Sequence, residues 1–237
     1  MKLFKHITVA LLGLATLSSC WMDTGDIPEK TTGGNNGSTF KVRVAFKNTN
    51  AWPTNNQIAI CAFAEDSENP FTWKVIQKNK SKDTLDLALT GITQEPEYVS
   101  LSLINKARRR IYNFYTAKLA ESDSTMLWTV DLLEMGRVQA QFFSNCQNCH
   151  GGSSFAAADL YLTEGKTYNS LVNKNSTKDE SRILVVPGVP SSSFIVDVVE
   201  GKTDKVHYDH TQVGYNNETE DIQLLKNWIS NLDDDAE

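Results

Sequence analysis

The hydrophobic pattern of the chain changes near residue 130. Before that point, short runs of alternating apolar and polar residues are typical of half-buried strands. The runs lie at residues 40–46, 85–89 and 99–103, with further candidates at 73–76, 111–115 and 126–130. Turn-rich segments separate them, and several short strands at this spacing predict an antiparallel, immunoglobulin-like β-sandwich over residues 39–130.

After residue 130, apolar residues recur at helical spacing instead. A helix is predicted to lead into Cys146, and a short one to cover residues 168–173. A third should follow the chain break at Pro187 and Pro190, with Ser191 or Ser192 as its cap. The last should begin at Asn217 or Thr219, and its apolar stripe comprises Ile222, Leu225, Trp228, Ile229 and Leu232. This pattern predicts a second, all-α domain over residues 131–237.

The N-terminus has the layout of a secretory signal peptide. Lys2 and Lys5 precede an apolar stretch at residues 7–17, which is shorter than the roughly 20 residues that span a bilayer. The stretch ends in Leu17-Ser18-Ser19-Cys20, which resembles a bacterial lipobox. We therefore expect residues 1–19 to be removed and Cys20 to be lipidated. An ordinary cleaved signal is the alternative.

Residues 20–38 contain little apolar surface to bury and predict a flexible tether. Asp23 and Asp26 loosely resemble surface lipoproteins of Bacteroidota-type bacteria. The expected location is therefore the outer membrane, on its periplasmic or cell-surface side. Loss of Lys2 and Lys5 would take the net charge from −6 to −8, so no nucleic-acid partner is expected.

The most specific motif is Cys146-Gln147-Asn148-Cys149-His150. A Cys-x-x-Cys-His run on an exported chain predicts covalent attachment of one haem c. The two thiols add to the vinyl groups, and His150 becomes the proximal iron ligand. A redox dithiol or half of a zinc site are the alternatives, and His207 and His210 could complete the latter. Cys61 lies in an apolar run and is expected to be a small buried hydrophobe.

From about Leu132 to its end, the chain resembles a class I cytochrome c domain of the kind found in bacterial lipoproteins. Only the Cys-x-x-Cys-His part of the resemblance is highly specific. The other matching positions are Gly151, Ala158-Asp159-Leu160, Tyr168, Leu171-Val172, Val186 to Pro190, Ser193-Phe194 and Trp228-Ile229. The resemblance implies that the helix before Cys146 crosses the C-terminal helix, with Gly136 or Ala140 permitting a close approach.

The chain departs from this family at the distal ligand. The family usually places a Met downstream of the proximal His, but every Met of this chain precedes Cys146. His210 is the preferred distal ligand and His207 the alternative, while an open iron site is a third possibility. Asp209 is expected to hydrogen-bond the free ring nitrogen of a ligand. A second imidazole in place of a thioether predicts a lower potential.

The function expected from this set is non-enzymatic transfer of single electrons among exported redox partners. The haem would do the chemistry, and no Ser/His/Asp set or paired-carboxylate site stands out as catalytic. The alternative class is a haem-based peroxidase, or a protein that binds and senses a gas or other ligand at an open distal site.

Overall fold

The computed structural model describes residues 37–78, 84–152, 154–213 and 218–233. The predicted signal peptide, the lipidation site at Cys20 and nearly all of the tether lie outside these residues. None of the helices in the described ranges is both long and apolar enough to cross a bilayer.

The first sheet is built around strand β1, Ser38–Lys47. It pairs antiparallel with β4, Leu85–Ile92, and parallel with β7, Leu127–Asp131. Strand β7 is the last described strand along the chain, so the helical part begins at the end to which β7 runs.

The second sheet has four antiparallel strands in the order β3-β2-β5-β6. Their bounds are Gln57–Phe63 for β2, Thr72–Val75 for β3, Tyr98–Ile104 for β5 and Arg110–Ala117 for β6. Val42 of the first sheet and Ile60 and Leu101 of the second belong to one buried apolar cluster. Alternation along each strand places these side chains on the same inner side.

In the described residues, five α-helices follow the strands. They are α1 Met135–Gln141, α2 Gln147–His150, α3 Thr167–Leu171, α4 Phe194–Val199 and α5 Glu218–Ser230. Single 3-10 turns lie at Phe143–Cys146, Ala157–Asp159, Pro190–Ser192 and His210–Gln212. The residue directly before α4 is Ser193, not the predicted Ser191 or Ser192. Asn217, one of the two predicted starts of the last helix, lies outside the described residues.

The predicted fold class is wrong. The structure is mixed and mainly β, with two sheets and a few short helices, and it shows no all-α cytochrome c domain after the sheets. In the described part of residues 131–237, irregular segments and the bridges Val172↔Val185 and Asn175↔Ile183 connect the helices. Apolar spacing over one or two turns predicts a helix but not its length, and isolated helices under about 12 residues are marginal. The parallel β1–β7 pair also departs from an antiparallel sandwich.

The packing of α1 differs from what the family resemblance implies. A methyl group on Gly136 would overlap the hydroxyl of Tyr112, so this glycine permits close approach to β6 rather than to α5. Helix α1 and its 3-10 extension nevertheless meet α5. Gln141 Nε2 donates to Asp221 Oδ1 at 2.9 Å, and the rings of Phe143 and Trp228 meet edge-on at 6.1 Å.

A buried arginine anchors α1 to the strand region. Arg137 is 1% exposed and donates to the carbonyl oxygens of Ala51 and Leu132 at 2.9 and 2.6 Å. Burial lowers the pKa of this guanidinium to about 10, and Glu220 and Asp221 act in the opposite direction. Because its hydrogen bonds reach across the chain, Arg137 holds the start of the helix that leads to Cys146.

Candidate haem-binding site

One cavity of about 830 Å³ gathers all the residues predicted for the haem site. Cys146, Cys149, His150, His207 and His210 line it together. Its volume lies in the range of roughly 300–1,000 Å³ typical of small-molecule and cofactor sites. Residues far apart in the chain therefore meet where the Cys-x-x-Cys-His motif lies.

The walls of the cavity are largely apolar. The charged residues Asp159, Lys174 and Lys178 also line the cavity, but apolar side chains predominate. The apolar ones include Phe142, Leu160, Leu162, Leu184, Phe194, Ile195, Val198 and Val199. The sequence pattern predicts helices around several of these wall residues, but it places none of them at the haem site. The apolar stripe of α4 was the available signal for these wall residues. Such a stripe shows that a helix packs against an apolar surface, but it does not identify that surface. Such walls suit a flat apolar macrocycle.

The rings of His150 and His210 lie close together at this cavity, in a stacked pair. Their centres are 6.4 Å apart and their planes differ by 26°. Because an imidazole nitrogen binds a metal at about 2.0–2.1 Å and the ring centre lies roughly 1.1 Å further out, two imidazoles on opposite sides of one metal ion have centres about 6 Å apart. The observed separation fits a shared metal ion.

Backbone carbonyls orient both rings. His150 Nδ1 lies 2.9 Å from the oxygen of Ala157, and His210 Nδ1 lies 2.9 Å from that of Tyr208. A carbonyl only accepts, so each Nδ1 carries the hydrogen and each Nε2 keeps its lone pair for a metal. Burial lowers the pKa of His150, the bond to Ala157 opposes this, and His210 lowers it further. The neutral form that binds metal is therefore favoured.

Asp209 does not hold a ligand ring, contrary to expectation. Its Oδ1 accepts from the backbone nitrogen and the hydroxyl of Thr211 at 3.0 and 2.6 Å. These bonds lower the pKa of the Asp209 carboxyl and cap the turn His210–Gln212. The carbonyl of Tyr208 takes the orienting role. A main-chain acceptor has no side-chain signature, so the sequence contains no sign of it.

His207 is the weaker of the two distal candidates. It lines the same cavity but is exposed, whereas His210 is half-buried. Within the described chain, no ring contact joins His207 to His150. The geometry therefore favours His210.

The two cysteines of the motif differ in exposure. Both are free thiols; Cys146 is half-buried and Cys149 is exposed. Burial, together with a smaller effect of the neighbouring Cys149, raises the pKa of the Cys146 thiol to about 12. A redox-active pair has a lowered pKa in one thiol, and the opposite shift at Cys146 gives no support to that alternative. Cys61 is fully buried, as expected of a small hydrophobe.

A strained turn lies next to His150, on the side of the cavity that His150 lines. Ala158 and Asp159 both have φ of 56°, in the left-handed region that costs about 1–3 kcal/mol for a non-glycine residue. The turn carries the Ala157 carbonyl that faces His150. Two bonds secure this side, from Thr177 Oγ1 to the Ala158 oxygen at 3.3 Å and from Leu162 N to the His150 oxygen at 2.8 Å.

The arrangement offers two thiols, two imidazoles and apolar walls around one space. Across the described ranges, no group of three or more His, Cys, Asp or Glu side chains is placed to hold a metal ion by itself. A haem iron would need fewer protein ligands than a bare metal ion, and His150 and His210 are the residues that would hold it. Comparisons with protein-family models, with curated proteins and with solved structures gave no match.

Proposed function

We propose that this protein is a c-type cytochrome that carries one covalent haem and transfers single electrons among exported redox partners. The 6.4 Å separation of the His150 and His210 rings is the observation that carries the proposal. It occurs at the cavity that both motif cysteines line, and Nδ1 of each ring contacts a backbone carbonyl. Two thiols and two imidazoles are the groups that one such haem requires.

Different residues of the chain would have different roles in this function. Cys146 and Cys149 would each add a thiol S–H bond across a vinyl double bond, which releases no leaving group. His150 and His210 would hold the haem iron. The bound haem would supply the one-electron chemistry of its iron. The apolar walls would exclude water from the ring.

The axial pair also predicts the direction of the potential. A second imidazole replaces the thioether that raises the potential of many c-type cytochromes. Hydrogen bonds from each Nδ1 to a carbonyl increase the electron density that each imidazole donates. We therefore expect a low-potential electron carrier.

The membrane attachment belongs to the same proposal. Cys20 would carry acyl chains, and residues 20–38 would tether the protein to the outer membrane. Each buried methylene of an acyl chain contributes roughly 0.8 kcal/mol, so two or more chains hold the protein firmly at the bilayer. An exported location is also where haem c attachment takes place. Its partners would be other exported redox proteins.

The test is the optical and EPR spectrum of the protein produced with a haem c maturation system. We expect covalent haem that survives acid-acetone extraction, and a six-coordinate low-spin spectrum typical of two imidazoles. His210→Ala should convert the iron to a high-spin form, while His207→Ala should leave it low-spin. Haem that extracts freely from the wild-type protein would overturn the covalent attachment, and a low-spin His210→Ala variant would overturn the distal ligand.

A further inference from the structure

The two sides of the cavity are attached to the fold in different ways. On the His150 side, the oxygen of His150 accepts from Leu162 N, and Thr177 bonds the strained turn at Ala158. These bonds connect the ligand side to parts of the chain beyond its own turn. The His210 side belongs to residues 203–213, here named the distal segment.

Among the described residues, the hydrogen bonds of the distal segment are all internal, and Lys205 adds an electrostatic attraction to Asp179. Val213 N donates to the His210 oxygen at 3.2 Å, and Gln212 N donates to the Asp209 oxygen at 3.1 Å. Lys205 N donates to Thr203 Oγ1, and Thr211 bonds Asp209 through both its nitrogen and its hydroxyl. Within the described part of the chain, no hydrogen bond or ion pair links this segment to residues outside it. The segment can therefore move as a unit without breaking a hydrogen bond or ion pair to the rest of the described chain.

Packing holds the segment over the cavity. Val206, Tyr208, His210 and Val213 line the cavity, and Tyr208 is also 56% exposed. At the base of the segment, Thr211 Cγ2 would lie 2.8 Å from a methyl group placed on Gly201, so these two residues are in close contact. Contacts of this kind are weaker and less directional than the bonded attachment on the His150 side.

We propose that the distal segment opens as a unit, carries His210 away from His150, and lets a small uncharged ligand bind in its place. This inference rests on the proposed function, because the ligand would take the iron position that His210 leaves. The ligand class follows from the walls, which are largely apolar and favour an uncharged ligand, although Lys174 and Lys178 also line the cavity. Diatomic gases and free imidazole are of this class.

Opening of this kind has a kinetic signature. Local openings in proteins range in free energy from near zero to that of global unfolding, and those of segments with few cross-contacts lie at the low end. A ligand that binds only the open form cannot bind faster than the segment opens. The observed binding rate should therefore rise with ligand concentration and then reach a plateau equal to the opening rate.

The experiment measures carbon monoxide binding to the reduced holoprotein over a range of gas concentrations. We expect a plateau in the wild-type protein. Gly201→Ala should raise the plateau roughly fivefold or more, because the new methyl group pushes against Thr211. Gly165→Ala is the matched control: Gly165 has φ of +75° against +65° for Gly201, but nothing lies within 4 Å of the added methyl group. Its plateau should stay near the wild-type value.

A second pair of variants keeps the test informative if Gly201→Ala does not fold. Asp209→Ala removes the cap inside the distal segment and should also raise the plateau. Asp123→Ala is its control, because Asp123 Oδ1 bonds the nitrogen and hydroxyl of Thr125 at 2.7 and 2.8 Å in the same pattern, outside the segment. Its carbon monoxide kinetics should match those of the wild-type protein.

Hydrogen exchange provides a readout that needs no added ligand. The amides of Thr211, Gln212 and Val213 should exchange together, and faster than the amide of Leu162. A binding rate that stays linear in gas concentration would overturn the proposal, as would failure to bind or equal plateaus in the Gly201 and Gly165 variants. In each of these cases haem would still be attached. Absence of covalent haem would instead overturn the proposed function.

Discussion

The imidazole ring of His210 lies beside that of His150 and contacts the backbone carbonyl of Tyr208, a residue only two positions before it. The Nδ1 atom of His210 lies 2.9 Å from that carbonyl oxygen, and the two imidazole centres lie 6.4 Å apart. The orientation is therefore local, while the placement depends on the fold around the cavity. Several consequences of this geometry and of its supports can be measured.

The first prediction concerns the redox potential. His210→Met should raise the midpoint potential, because a thioether stabilises the reduced iron relative to an imidazole. The increase should be a sizeable part of the roughly 0.8 V range over which axial ligands set haem potentials. A spectroelectrochemical titration measures it, with His207→Met as the control that should stay near the wild-type potential. Equal potentials for wild type and His210→Met would contradict His210 as ligand.

The second prediction concerns the strained turn beside His150. Ala158→Val places a β-branched side chain at φ of 56° and should lower the free energy of unfolding by about 1–2 kcal/mol. Ala158→Gly relieves the strain and should leave stability equal or slightly higher. Urea unfolding of both variants gives the comparison. A Val variant as stable as the Gly variant would show that the turn is not strained.

The third prediction concerns the packing of α1 on β6. Gly136→Ala should destabilise the fold by about 1–3 kcal/mol, because the added methyl group overlaps the Tyr112 hydroxyl. Tyr112→Phe removes that hydroxyl and should recover part of the loss in the double variant. A double-mutant cycle from urea unfolding measures the coupling. Strictly additive effects would contradict the contact.

The fourth prediction separates a buried arginine from an exposed one. Arg137→Met should cost about 2 kcal/mol or more, because two buried carbonyl oxygens lose their donor. Arg109→Met is the control: Arg109 pairs with Glu68 at 2.6 Å, but its side chain is 62% exposed. Exposed pairs contribute about 0–1 kcal/mol. Chemical denaturation should rank the two variants in this order, and similar losses would contradict the role of Arg137.

The fifth prediction concerns Cys20, which lies outside the described residues. Cys20→Ala should move the protein from the membrane fraction to the soluble exported fraction, because the lipid anchor is lost. Cell fractionation followed by haem staining measures the distribution. The amount of covalent haem should not change, since attachment depends on Cys146 and Cys149. A variant that stays in the membrane fraction would indicate another means of attachment.

Much of the local structure could be predicted from the pattern of residues. Strands lie at each predicted run, including the weaker ones at 73–76 and 126–130, because alternation reports which face of a strand is buried. Alternation does not report the partner strand or its direction, and the parallel pairing of β1 with β7 was therefore missed. Helices lie at the four predicted places, but α2, Gln147–His150, was not predicted.

The candidate site divides in the same way. The sequence by itself determined the chemistry: two thiols and a histidine at the spacing of a haem c motif, and no methionine after them. Only the tertiary structure decided the geometry. It brings His210 next to His150, although the two are far apart in the chain, and it places the residues of α4 in the cavity wall. The groups that orient the two rings are main-chain carbonyls, those of Ala157 and Tyr208. Residue type fixes which bonds an atom can make, whereas the packed fold decides which partner it reaches.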